Sequence, residues 1–155
     1  MSASKVTGGV SKRTRRSAAA SLNQADYERL AQLRHLLRHF LLFSENAATQ
    51  VGLTVQQHQA MLAIKGFVGK HPVTTGELAE LLGTRHHSAV GLLDRLDAKG
   101  LIRRRVGPKD HRQVLITLMP KAETLLRRLS ATHRDELERL APLLRMLLAH
   151  FEPGP

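Results

Sequence analysis

Over residues 26–50 apolar side chains return at helical spacing. Leu30, Leu33, Leu37, Phe40, Ala47 and Val51 lie at steps of three, four or their sum, the stripe of one long amphipathic helix. Leu36, Leu41 and Phe43 fall outside that stripe. A helix apolar on more than one side needs more than one packing partner, so this one is expected to meet a second subunit as well as its own domain. Gly52 ends it. Thr54 begins a second helix reaching about Phe67, and Gly69 with Pro72 breaks the chain after it. A third helix opens at Thr74, which stands three residues before Glu77 as a capping box requires. It is expected to bury Leu78, Leu81 and Leu82 and to close at Gly83. A fourth runs from about Arg85 to Lys99 and stops at Gly100.

From Leu101 the period changes. Leu-Ile-Arg-Arg-Arg-Val and Gln-Val-Leu-Ile-Thr-Leu flank the polar turn Gly107-Pro108-Lys109-Asp110-His111-Arg112, which predicts a β-hairpin. Pro120 suits the first turn of a last long helix. Within it Leu137, Leu140, Leu144, Leu147 and Phe151 are spaced 3, 4, 3 and 4, as a helix-pairing seam requires. Pro142 is expected to kink or divide that helix near Arg139. The predicted fold class is therefore mostly α with a small β-hairpin, an α+β arrangement in one domain over residues 26–155, preceded by an arm of residues 1–25.

Composition sharpens this. The 155 residues include 42% apolar but only 3% aromatic side chains, so the interior is built from Leu, Ala and Val, which favours packed helices over stacked sheets. The net charge of +11 points to a polyanionic partner, nucleic acid first and an anionic membrane surface second. Lys5, Lys12, Arg13, Arg15 and Arg16 meet no acid before Asp26, the pattern of a basic disordered arm. The remainder still carries 19 basic against 13 acidic residues, so the folded part is basic in its own right. The absence of cysteine excludes disulfides, thiolate zinc sites and thiol switches, and fits a reducing cytoplasm. Neither a signal peptide nor a membrane-spanning run is read from the chain, and a cytoplasmic location is expected.

Two short helices joined by a tight turn and followed by a basic hairpin form a device for reading duplex DNA, the second helix entering the major groove by its N-terminal residues. With Ala89, Leu93 and Leu96 taken as the buried face, His87, Gly91, Asp94 and Arg95 turn outward, flanked by His86, Ser88 and Val90. His and Ser side chains hydrogen-bond bases, Gly91 permits close approach, and Val90 suits a thymine methyl.

These residues carry a family resemblance. Leu78-Ala79-Glu80-Leu81-Leu82-Gly83, Ser88-Ala89-Val90, Leu92-Leu93-Asp94-Arg95-Leu96 and Lys99-Gly100-Leu101-Ile102 resemble the multiple antibiotic resistance regulator (MarR) family. So does the hairpin, where Asp110-x-Arg112 is followed by Val114, Leu115, Thr117 and Leu118. The resemblance implies a winged helix-turn-helix lobe over residues 54–119 and dimerisation helices over 26–51 and 120–151. It implies that Arg112 enters the minor groove and that Asp110 orients it by a charge-assisted bond; a narrow groove concentrates negative potential and attracts an arginine. It also implies a homodimeric, ligand-responsive repressor on a palindromic operator, released by an apolar or anionic aromatic effector lodged between the dimer helices and the lobe. The chain departs from the family at Val90 and Gly91, where Ser or Thr and a basic residue are common, and at Arg85 and His86, where Ser and Pro are. Base readout then rests more on His87 and Ser88.

The DNA-contacting candidates are thus Thr75, Arg85, His86, His87, Ser88, Val90, Gly91, Arg95, Arg103, Arg105, Lys109, Asp110 and Arg112, and the effector candidates are His39, Phe43 and His58. Plainer roles stand beside these. Arg103-Arg104-Arg105 is either a phosphate contact or a solvated strand edge; Arg112 with Asp110 is either a groove reader or a turn salt bridge. Arg95 either meets DNA or pairs with Asp94 or Asp97, and His58 either lines a cavity or packs in the core. His35 and His39, at i and i+4, raise a metal-responsive regulator, but two imidazoles fall short of the four ligands of a closed zinc site, so no metal or cofactor is expected. A protein-interaction adaptor on the same fold, and membrane attachment through the arm, are the rivals from other classes. With no phosphate-cradling glycine loop, nucleophile elbow or His-Glu-x-x-His, an enzyme is not expected.

Overall fold

The computed structural model describes residues 22–151. Most of the basic arm lies outside the described residues. Five helices and one hairpin follow in order: α1 (Gln24–Gln50), α2 (Val55–Gly66), α3 (Thr75–Leu81), α4 (His86–Ala98), β1 (Ile102–Val106), β2 (Val114–Leu118) and α5 (Pro120–Ala149). The first helix starts two residues earlier than its apolar stripe indicates. Asn23 and Asp26 cap each other: the Asp26 N–H donates to Asn23 Oδ1 at 3.1 Å and the Asn23 N–H to Asp26 Oδ2 at 2.8 Å.

The helix punctuation works as the local chemistry requires. Thr54 and Thr74 head α2 and α3 with complete capping boxes, closed by Gln57 and Glu77. The bonds that Thr74 donates hold the Glu77 carboxyl below its usual range. Gly83 leaves α3 with φ of +60°, a left-handed turn costly for any residue with a Cβ, and so sets the tight corner between α3 and α4.

Two compact units divide the chain. Among the described residues, one comprises 39–142 and the other 22–38 with 143–151. In the larger unit a continuous core gathers Met61 and Ile64 of α2, Leu78 of α3, Leu92, Leu93 and Leu96 of α4, Leu101, Ile102 and Ile116 of the hairpin, and Ala122, Leu126 and Leu129 of α5. The expected buried face of α4 (Ala89, Leu93 and Leu96) is fully enclosed. On α3 only Leu78 is buried as expected: Leu81 is 54% exposed and Leu82 half-buried, while Ala79 takes a core position. A seven-residue helix turns too few positions inward to bury three leucines.

In the smaller unit, α1 buries Leu36 and leaves Leu30 and Leu37 exposed, so the stripe read from the sequence is rotated away from the chain's own packing there. Asp26, in the first turn of α1, pairs with His150 just beyond the end of α5. The Asn23 amide and His150 together hold the Asp26 carboxyl below its ordinary range. The last helix continues past Pro142 to Ala149, so the proline does not divide it as one of the two expected outcomes had it. The expected seam on α5 is corrected as well: Leu140 and Leu147 are buried within the chain, whereas Leu137, Leu143, Met146, Leu148 and Phe151 stay exposed.

The candidate nucleic-acid interface

The larger unit builds the site on three supports. The first is α4, fixed from beneath by its enclosed leucines. Its opposite side exposes His86, His87, Ser88, Asp94 and Arg95 to solvent, with Val90 and Gly91 half-buried at its flank. Arg85 occupies the N-cap without a side-chain capping bond. The head of the helix therefore presents cationic and imidazole side chains at the positive end of the helix dipole, a favourable setting for an anion. Thr75, the first residue of α3, is half-buried.

The second support is the hairpin, whose antiparallel register pairs Ile102 with Leu118, Arg104 with Ile116 and Val106 with Val114. Alternation along a strand sets Arg103 and Arg105 on one face and Arg104 on the other, with Ile102. Arg103 and Arg105 are accordingly exposed, whereas Arg104 is half-buried and turned to α4. Its guanidinium donates to Asp94 Oδ1 at 2.6 Å and to Asp97 Oδ2 at 3.2 Å. Those are the carboxylates of the plainer alternative for Arg95, which instead lies near Gly91, its Nη1 within 3.6 Å of where a Cβ would stand.

The third support is the turn that carries the wing tip. The Gly107 N–H donates to the Gln113 carbonyl at 2.9 Å and the Gln113 N–H to the Asp110 carbonyl at 3.0 Å. A Cβ on Gly107 would stand 2.8 Å from that Asp110 oxygen, so the close approach requires glycine. Asp110 Oδ1 accepts the backbone N–H of Arg112 at 3.0 Å. This corrects the expected bond between carboxylate and guanidinium: Asp110 shapes the turn through the main chain, as aspartate does in Asx turns, and leaves the Arg112 side chain exposed beside Lys109 and His111. The hairpin is tied to the rest of the unit by the Ile116 N–H, which donates to the Val73 carbonyl at 2.9 Å, and by a bridge between Thr74 and Leu115.

Of the effector candidates, His58 is only 5% exposed and packs against a residue that the sequence reading did not single out. Its ring lies 5.0 Å from that of His133, which also meets Phe40 and Phe43 edge-on at 5.9 Å. His133 Nδ1 bonds the Leu129 carbonyl, an obligate acceptor, so that nitrogen carries a proton; Nε2 lies 2.7 Å from Ser44 Oγ. Burial, helped by the neighbouring His133, lowers the pKa of His58 from 6.5. The folded chain thus keeps His58 neutral where the unfolded chain takes up a proton, and stability falls as pH drops through about 6.5. Melting temperatures between about pH 7.5 and 5.5 should fall less for His58→Gln than for the parent; identical profiles would remove His58 from this effect. His39 lies close enough to Glu136 to help hold its carboxyl down, behind the larger influence of Arg139. Among the described residues no group of three or more His, Asp or Glu is placed to hold a metal ion, and no helix is long and apolar enough to cross a membrane.

Two short helices at a glycine corner, an enclosed second helix and a hairpin packed beside it define the larger unit as a winged helix-turn-helix. Residues 51–113 match the model of the MarR family, whose members are transcription regulators rather than enzymes. The lobe is similar to the winged helix of that family, and the chain has the fold of solved MarR family regulators. It is similar to a mutant of S. aureus MepR bound to an oligodeoxyribonucleotide, at 18% identity and a TM-score of 0.63 over 79% of this chain and 96% of that one. It is similar to a mutant MarR from E. coli complexed with operator DNA, at 22% identity and a TM-score of 0.59 over 80% of this chain and 94% of that one. A probable transcriptional regulator from Pseudomonas aeruginosa shares 28% identity, with a TM-score of 0.56 over 77% of this chain and 93% of that one. A search of curated protein sequences gave no match.

Proposed function

We propose that the chain is a DNA-binding transcription regulator that reads a palindromic operator as a homodimer, represses from it and is released by a small aromatic or anionic effector. The observation that carries the DNA assignment is the coincidence, on one side chain inventory, of the exposed head of α4 with the exposed cations of the hairpin. His86, His87 and Ser88 supply groups that hydrogen-bond base edges, and Arg95, Arg103, Arg105 and Lys109 supply phosphate contacts. Arg112, free of any carboxylate among the described residues, is the wing's groove reader.

The homodimer is supported by large apolar side chains exposed on the two long helices, Tyr27, Leu30 and Leu37 of α1 and Leu143 and Met146 of α5. Two-fold symmetry then makes the operator an inverted repeat with half-site centres about 34–36 Å apart. The effector part of the reading draws on the ring cluster around His58, where an aromatic ligand finds stacking partners. A ligand acts on DNA binding only as far as it prefers one arrangement of the lobes over another.

The test is duplex binding across a salt series. The logarithm of the binding constant should fall linearly with the logarithm of salt, by about 0.9 per phosphate neutralised. A flat response would leave the exposed cations without a nucleic-acid partner and overturn the assignment.

A further inference from the structure

Arg104 sits between two exposed arginines on β1 but belongs to a different surface. Its side chain shares the inner face with Ile102, opposite the buried Ile116, and its fork spans Asp94 and Asp97, three residues apart on α4. A planar guanidinium held by two carboxylates has one orientation, where an ammonium on a flexible stem would have many. The two strands of the hairpin are thereby tied to different helices. β2 is fixed at the entrance of α3 through Val73 and Thr74, and β1 is fixed to α4 through Arg104.

We propose that Arg104 is a positioning residue: it clamps the base of the wing to the helix that reads the major groove, sets the angle between the two DNA-reading elements, and takes no phosphate itself. This rests on the DNA-reading assignment above. A partly exposed ion pair adds little to the stability of a fold, so what the clamp contributes is geometry. An arginine on a phosphate strengthens binding to every duplex alike through counterion release. An arginine whose donors are already held by two carboxylates acts otherwise: it decides whether Arg112 reaches its groove while His87 and Ser88 reach their bases. Random duplexes do not demand that agreement, and a specific site does.

The experiment uses the full chain, a duplex enriched from a random library by the parent protein, and random-sequence competitor, titrated at several salt concentrations. Arg104→Met keeps the aliphatic stem and removes the fork. The ratio of specific to random binding should fall about five- to tenfold, with the salt slope and the melting temperature close to the parent's. Asp94→Asn with Asp97→Asn should lower the same ratio, even though losing two negative charges tightens binding to any duplex. The triple variant should discriminate no worse than Arg104→Met alone, because the three residues act as one unit. Arg103→Met is the phosphate control, and its slope should be shallower by about 0.9. A slope shallower by that amount in Arg104→Met, with equal loss on both duplexes, would make Arg104 a phosphate contact and overturn the clamp. An unchanged ratio would overturn it too. Parent protein that discriminates while Arg104→Met matches it condemns the clamp alone; parent protein that prefers no duplex condemns the DNA-reading assignment, and the clamp with it.

Discussion

A chain carrying Leu143→Glu and Met146→Glu is expected to sediment as a monomer, and the parent chain as a dimer at the same concentrations. Both side chains are exposed in the single chain, Met146 by 62%, so the substitutions should leave helix content and the core intact. In a symmetric interface each change occurs twice, which brings four carboxylates into an apolar contact. Removing an unpaired charge from water costs several kcal/mol per ion. Even a total near 3 kcal/mol raises the dissociation constant about 100-fold, at roughly 1.4 kcal/mol per factor of ten. Operator affinity should fall at least as far. With the dimer broken, the second half-site is no longer engaged at the high effective concentration that linkage provides. Analytical ultracentrifugation checks the first effect and a binding titration the second. A dimer that survives both charges would move the interface off this face of α5.

Arg112→Ala should weaken binding to a specific duplex by about 1–3 kcal/mol at matched salt, roughly five- to 150-fold. Arg112 is exposed at the wing tip, and no carboxylate among the described residues holds its guanidinium back. A narrow minor groove is where its charge gains most. The neighbouring aspartate separates this account from one in which Asp110 orients the guanidinium. Asn accepts the same backbone N–H, so Asp110→Asn should preserve the turn and cost little. Asp110→Ala removes the acceptor and should reproduce part of the Arg112→Ala loss. If Asn proved as damaging as Ala, the carboxylate charge would matter after all. An Arg112→Ala chain that bound like the parent would take the wing out of the mechanism.

How far these positions could be read from the amino-acid order depended on the range of the interactions involved. The helix starts at Thr54 and Thr74 were legible because a capping box is a contact across three residues, complete within the sequence window. The enclosed face of α4 was legible because periodicity alone separates Leu93 and Leu96 from His87 and Arg95. What escaped the sequence were the contacts that only the folded chain creates. Asp94 and Asp97 stood only as alternative partners for Arg95 on their own helix, yet the guanidinium that reaches them comes from β1, across the α4–β1 turn. Strand alternation held the clue, since Arg104 shares the parity of Ile102. His133 escaped for a similar reason: it lies 75 positions from His58, on α5, and nothing in its immediate neighbours marks it as the ring that covers His58. The pairing seam on α5 had the right period but the wrong allocation. Spacing reports that Leu140 and Leu147 are apolar, and it is packing within the chain that decides they are already covered.

The central claim, that two copies of this chain present two winged lobes to one double helix, is tested most directly by selecting bound duplexes from a random library and sequencing them. The account predicts an enriched inverted repeat, its half-site centres one helical turn apart, with two chains bound per duplex. Enrichment of a single unrepeated site bound by one chain, or of no sequence at all, would contradict it.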